Sequence, residues 1–351
     1  MDHNKLITVN SISGGRTSSF MALHFKADHN IFACVEQEHI QTTPEGRRMR
    51  DRNPYLLPAQ NWLRRFNPGF WATAEDDRTI IALHRLTHEM KTGEHDYYRG
   101  AIEVVFAHNY GDSRYDTFDK IVTDFLPNSR KRICTEMLKV YPIYRYLKRN
   151  VISGDRDEPT QEPIQMRIGF RLDEVDRTVN LYFRLVNKDK RVPDPSFDLQ
   201  SVINRFGIPN YIVTWWDRMD VEGMVRRGER VLKSTPFNEY DGDYYRIPSF
   251  PLIEAGITNA EIIKYWSGRP EYDFPPISNC VMCFHHRVKQ LQMQWADPIN
   301  ISQMRWAAKA EATKGHSFLK NFTMEQIRDL PLQLELEFSD FTGCDSGSCT
   351  D

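Results

Sequence analysis

The chain has 351 residues, of which 40% are hydrophobic and 27% charged, and 46 Lys and Arg against 48 Asp and Glu leave a net charge of −2. This composition supports a folded core, in one large domain with insertions or in two domains, and excludes charge-driven disorder. The near-zero balance also excludes a global field that would draw the chain to nucleic acid or to an acidic membrane.

No run of about 18 apolar residues is present, and Met1-Asp2-His3-Asn4-Lys5 has neither the basic nor the apolar region of a signal peptide, so a cytoplasmic protein without a membrane span is expected. Six cysteines in a large chain from a reducing compartment point to metal or thiol chemistry rather than to a disulfide framework. Two basic clusters, Arg47, Arg48, Arg50 and Arg52 and then Arg130, Lys131 and Arg132, read as solvated faces.

In chain order, residues 5–10 predict a buried strand, a Ser/Gly loop follows, and residues 18–26 predict a helix with Phe20, Leu23 and His24 at helical spacing. Residues 31–36 predict a second strand. Strand, loop, helix and strand make a βαβ unit, so the expected fold class is α/β, a parallel sheet with flanking helices. Residues 101–109 and 164–170 predict two more strands, and helical patterns lie over residues 56–66 and 77–90. Residues 179–243 are rich in strand patterns such as VNLYFRLV and YIVTWWD. Thr258 with Glu261 three residues later has capping-box spacing.

The expected organisation is a nucleotide-binding core over 1–36 and 101–178, with a helical insertion over 37–100 and a β-rich insertion over 179–243. A helical part with Cys-x-x-Cys follows over 244–334, and then a cysteine-containing tail over 335–351.

Ser13-Gly14-Gly15-Arg16-Thr17-Ser18 lies between the first strand and the first helix. Two glycines permit a tight turn and close backbone approach, and the helix-opening N–H groups and dipole favour an anion. Ser13, Thr17 and Ser18 add hydroxyls, and Arg16 adds a charge suited to phosphate oxygens. The loop is neither a Walker A sequence nor a G-x-G-x-x-G fingerprint. Cys280 and Cys283 have the spacing with which a turn presents two thiolates to one metal, and His285 and His286 are further candidate donors. Cys34, inside an apolar strand, reads as a small core residue. Cys134, at the start of a predicted helix, has its thiolate favoured by the dipole.

Ser-Gly-Gly-x-x-Ser after the first strand resembles the PP-loop of the adenine-nucleotide α-hydrolase superfamily, which includes ATP pyrophosphatases and sulfonucleotide reductases. The Ser-Gly-Gly-Arg-Thr-Ser form is similar to a phage and bacterial subgroup described as phosphoadenylylsulfate (PAPS) reductase-like. Three further segments resemble that subgroup, in its order. They are Arg132-Ile133-Cys134-Thr135 with Leu138-Lys139 and Pro142, then Gly169-Phe170-Arg171-Leu172-Asp173-Glu174 with Arg177, then Pro251-Leu252 to Thr258 followed by Asn279-Cys280-Val281-Met282-Cys283-Phe284. Two positions depart from the pattern: Thr17 stands where ATP pyrophosphatases usually have Asp, and His286 where the subgroup usually has Lys.

The resemblance implies a PP-loop (HUP-like) fold that binds ATP or PAPS, with Mg²⁺ beside the phosphates. It casts Arg16, Arg171, Asp173 and Glu174 as catalytic, and Ser13, Gly14, Gly15, Arg16, Thr17, Ser18, Lys139 and Arg177 as nucleotide-binding. It also implies an iron–sulfur cluster on Cys134, Cys280 and Cys283 with a tail cysteine, Cys349. The alternative is zinc on Cys280, Cys283, Cys344 and Cys349.

The expected activity is ATP-dependent sulfur transfer: activation at the α-phosphate, release of pyrophosphate, and a sulfur donor acting on a nucleic-acid acceptor. One alternative is a PAPS reductase that releases sulfite with a thioredoxin-like partner, although Gly343-Cys344-Asp345 and Ser348-Cys349-Thr350 differ from the Glu-Cys-Gly tail of such enzymes. A second alternative is a nucleotide-binding subunit without turnover.

Overall fold

The computed structural model describes residues 6–38, 54–92, 101–128, 132–152, 163–187, 204, 208–210, 212–214, 230–234, 239–240, 243–277 and 280–331. Its strands are β1 (Thr8–Ile12), β2 (His29–Cys34), β3 (Ile102–Phe106), β4 (Ile164–Arg167), β5 (Phe183–Asn187), β6 (Arg230–Ser234), β7 (Glu239–Tyr240), β8 (Asp243–Tyr244) and β9 (Arg246–Ser249). Five of them form one sheet in the order β3-β2-β1-β4-β9, and every pairing in it is parallel. The chain is an α/β protein.

Parallel strands are covered on both faces, so they must tolerate burial along their whole length. All five residues of β1 are buried, and the Asn10 side chain among them bonds inside the sheet. Asn10 Nδ2 donates to Asn30 Oδ1 on β2 and to Phe25 O, both at 2.9 Å.

The helices are α1 (Arg16–His24), α2 (Leu56–Leu63), α3 (Asp77–Thr92), α4 (Ala107–Tyr110), α5 (Phe118–Asp124), α6 (Ile133–Thr135), α7 (Tyr141–Leu147), α8 (Val175–Tyr182), α9 (Pro251–Glu254), α10 (Asn259–Ser267), α11 (Val288–Ala296), α12 (Ile301–Lys314) and α13 (Met324–Asp329). A π-turn over Glu136–Val140 joins α6 to α7. One core cluster packs α1, α2, α3 and α10 on one face of the sheet, with Phe32, Leu83 and Trp266 at its centre. A second gathers Val9, Met166, Leu147 and Phe250 on the other face. A third packs α5, α11, α12 and α13 around Val281, Met282 and Leu291. Among the described residues no helix is long and apolar enough to cross a membrane.

Several expectations shift. The strand expected over 101–109 ends at Phe106, and the chain then coils into α4. The start of the strand expected at VNLYFRLV is helical: α8 runs to Tyr182 before β5 begins. Within YIVTWWD, residues 212–214 are helical. The fifth strand of the main sheet, β9, comes from the part expected to be helical. The capping box at Thr258 is present, with the Thr258 N–H donating to Glu261 Oε2 at 2.7 Å.

Candidate functional site

Strand order decides where a site can sit. From β1 the chain builds outward through β2 to β3, then crosses back to lay β4 on the opposite side of β1. Successive connections therefore leave β1 and β4 in opposite directions, which makes their carboxyl ends the switch point at which open parallel sheets bind ligands. The Ser13–Ser18 loop follows β1 and Gly169-Phe170-Arg171 follows β4, so both stand at this switch point.

The loop is braced by its own hydroxyls. Ser18 Oγ lies 3.0 Å from Ser13 Oγ, accepts from the Ser13 N–H at 3.1 Å and donates to Gly15 O at 3.2 Å. Gly14 has φ +79°, and a Cβ there would lie 2.3 Å from Thr79 Cγ2 and 3.3 Å from Leu83 Cδ1 of α3. Glycine is required twice over at this position, by backbone conformation and by space. Gly15 caps α1 with extended backbone and no side-chain hydrogen bond, leaving the first N–H groups of α1 without a side-chain cap. Trp266 of α10 clamps the loop from behind, its Nε1 donating to Arg16 O at 2.9 Å. The Arg16 side chain is exposed.

Arg171 reaches from the β4 loop to the β1 loop. Its Nη1 donates to Thr17 Oγ1 at 2.9 Å, and its Nη2 lies 3.1 Å from Glu174 Oε1. The side chain is 9% exposed, yet Nε and Nη2 make no hydrogen bond of good geometry. Arg177 also bonds Glu174 and stands 4.5 Å over the Phe170 ring. Glu174 thus anchors two arginines. Asp173 Oδ1 accepts from the Asn259 N–H at 3.1 Å, tying the β4 loop to the start of α10.

The cysteines meet elsewhere on the same carboxyl edge. Cys134, Cys280, Cys283 and His285 line one cavity of about 40 Å³, walled by apolar side chains including Val35, Phe118 and Phe318. The Cys-x-x-Cys segment turns tightly, with the Cys283 N–H donating to Cys280 O at 3.1 Å and the His286 N–H to Cys283 O at 3.0 Å. Val281 and Met282, both buried, pin the turn in the third core cluster. Among the described residues the four cysteines Cys34, Cys134, Cys280 and Cys283 form no disulfide. No group of three or more His, Cys, Asp or Glu side chains among those residues is gathered into a ready-made ion site. The donor set of three thiols and an imidazole in an apolar wall nonetheless suits a thiophilic metal and not Mg²⁺.

Burial pushes the Cys134 thiol above its usual range, against the opposing pull of Thr135, Arg132 and Lys139. The thiolate expected there is thus opposed by burial, the largest of these influences. Cys34 is 1% exposed, and burial together with Glu75 and Glu36 pushes its thiol well up, as befits a core residue. Burial also pushes His285 down to about 4, helped by Arg132 and His286, so its imidazole is neutral.

One segment joins the two regions. Residues 72–75 run antiparallel beside the chain leaving β2, with the Ala74 N–H donating to Val35 O at 2.9 Å and the Gln37 N–H to Ala72 O at 3.0 Å. Glu75 then bridges Cys280, with the Val281 N–H donating to Ala74 O at 2.9 Å. Four residues later Thr79 touches the place of the missing Gly14 Cβ. Gln303 Nε2 braces this segment from α12, donating to Thr73 O and Glu75 O at 3.0 Å. Lys139, expected at the nucleotide, pairs instead with buried Glu75 at 2.9 Å, on the cysteine side.

The fold thus brings Ser13–Ser18, Arg171, Glu174 and Arg177 together, and separately Cys134, Cys280, Cys283 and Lys139. Cys344, Cys349, Arg47, Arg48, Arg50, Arg52, Arg130 and Lys131 lie outside the described residues. Sequence reasoning missed Glu75, Thr79 and Trp266. None of them stands in a motif, and only the packing of α3 and α10 against α1 reveals them. No family model, curated protein or solved structure matches this chain.

Proposed function

We propose that this chain is a PP-loop enzyme that binds an adenine nucleotide by its phosphates at the β1–β4 switch point and uses it in sulfur transfer. The observation that carries this reading is Arg171 reaching from the β4 loop to Thr17 in the glycine loop, with two buried guanidinium nitrogens lacking well-formed hydrogen bonds. A guanidinium that pairs with Glu174 and Asp173, yet keeps two nitrogens without well-formed hydrogen bonds beside the start of α1, suits a phosphate chain, whose oxygens would complete them.

In this reading Gly14 and Gly15 let the phosphates approach the backbone, and Arg16 and Arg171 neutralise charge on opposite sides. An acceptor oxygen attacks the α-phosphorus of ATP, the bond to the β-phosphate oxygen breaks, and pyrophosphate leaves. A sulfur nucleophile then displaces AMP from the activated acceptor. Catalysis is alignment and charge neutralisation, the kind that phosphoryl-group chemistry requires. Glu174 positions both arginines, and Asp173 pairs with Arg171 and holds the start of α10.

Cys134, Cys280 and Cys283 would hold an iron–sulfur centre, whose chemistry is to carry or reduce sulfur beside the activated acceptor. Glu75 and Thr79, on one short segment, set the spacing between that centre and the nucleotide.

The test is a product panel on anaerobically purified protein. ATP with sulfide and candidate acceptors, nucleic acids among them, should yield pyrophosphate and AMP. Sulfite from PAPS with thioredoxin would replace this reading by a reductase. Nucleotide binding with neither product would leave a non-catalytic subunit, and absence of nucleotide binding sinks the proposal.

A further inference from the structure

Three cavity-lining thiols leave a tetrahedral metal or a cluster corner one donor short. Two sources of that donor exist in the chain: a cysteine of the 335–351 tail, or a side chain already in the cavity wall. His285 lines the same cavity as Cys134, Cys280 and Cys283, two residues beyond Cys283 in the same turn. Its Nε2 is buried without a hydrogen-bond partner, and Phe284 packs on the ring at a centroid distance of 4.4 Å. Unsatisfied buried ring nitrogens are costly, and a metal satisfies one as a hydrogen bond would. Lys139, also in the wall, is held by Glu75. His286 is not among the described lining residues.

We infer that His285 Nε2 is the fourth protein ligand of the thiol-lined centre, making it a three-cysteine, one-histidine site. The inference rests on reading this cavity as a metal centre, and it removes the tail from the ligand set. A neutral imidazole in place of a fourth thiolate takes one negative charge from the centre, which raises the potential of an iron site.

The experiment uses the full chain, purified anaerobically as wild type, H285A, H285C and C349S, with iron, sulfide and zinc measured in each. Bound iron is reduced and its ligand nitrogen sought by pulsed EPR after ¹⁵N-histidine labelling; bound zinc is read by X-ray absorption as three sulfurs and one nitrogen. The expected result is a histidine nitrogen on the metal in wild type and C349S. H285C should keep the metal without the nitrogen, and H285A should lose at least half of it while its circular dichroism stays that of wild type. Metal bound with no histidine nitrogen, or lost in C349S, overturns the inference while sparing the centre. Absence of metal from wild type overturns both, and calorimetric ATP binding tells whether the nucleotide site survives alone.

Discussion

Lys139 Nζ lies 2.9 Å from Glu75 Oε1, and Glu75 is only 1% exposed. This pair ties the helix that carries Cys134 to the segment that pairs with Cys280 and touches Gly14. Removing one partner strands a charge indoors, which costs about 3–5 kcal/mol, whereas removing both is far milder. Urea unfolding should therefore show K139M strongly destabilised and the E75Q/K139M double variant recovering most of the loss. Additive losses would refute the coupling.

Gly14 should tolerate no side chain. A φ of +79° costs an L-residue about 1–2 kcal/mol, and the 2.3 Å approach to Thr79 Cγ2 adds a clash. G14A should unfold at lower urea and lose nucleotide affinity. T79S, which deletes the offending methyl, should restore part of both in the double variant. A G14A protein that binds ATP as wild type does would show that the loop is not the cradle.

Arg171 should govern nucleotide affinity more than stability. Charge-assisted hydrogen bonds contribute about 1.5–3 kcal/mol, so R171A is expected to weaken ATP binding by roughly 10- to 100-fold in calorimetry. Arg177 still holds Glu174 in that variant, so its unfolding midpoint should fall less than that of K139M, which leaves Glu75 without its partner. R171K should recover only a fraction, because a single ammonium nitrogen lacks the planar fork that spans Thr17, Glu174 and a phosphate.

Glu36 should make stability depend on pH. Burial, then Glu38 and Asp116, push its carboxyl from 4.5 up to about 7, against the pull of Lys120. The folded state therefore binds the proton more tightly than the unfolded one. Stability from this group is full below about pH 4.5, falls as pH rises through 7, and levels off above. The span is of order 3 kcal/mol. E36Q, which keeps an acceptor for Asn67 Nδ2, should flatten that slope and be more stable than wild type at pH 8. An unchanged slope would contradict the assignment.

Local signals were the legible ones. The pattern over 77–90 matches Asp77–Thr92 because an amphipathic helix repeats every few residues, and Thr258 with Glu261 forms its box because a cap is settled within one turn. The misread stretches have the opposite character. Ala107–Tyr110 directly follows β3 and Val179–Tyr182 directly precedes β5, so at each junction a few residues could join either element and tertiary packing chose helix over strand.

By itself the sequence determined the strand–loop–helix start, the two-glycine turn and the Cys-x-x-Cys turn, because backbone conformation and side-chain period act over a few residues. Only the tertiary structure decided that β4 lies beside β1, that Arg171 meets Thr17 across 154 positions, and that Cys134 shares a cavity with Cys280 and Cys283. It also placed residues 75–79 between the two regions. Those pairings depend on which buried faces fit one another, and no local pattern encodes that choice.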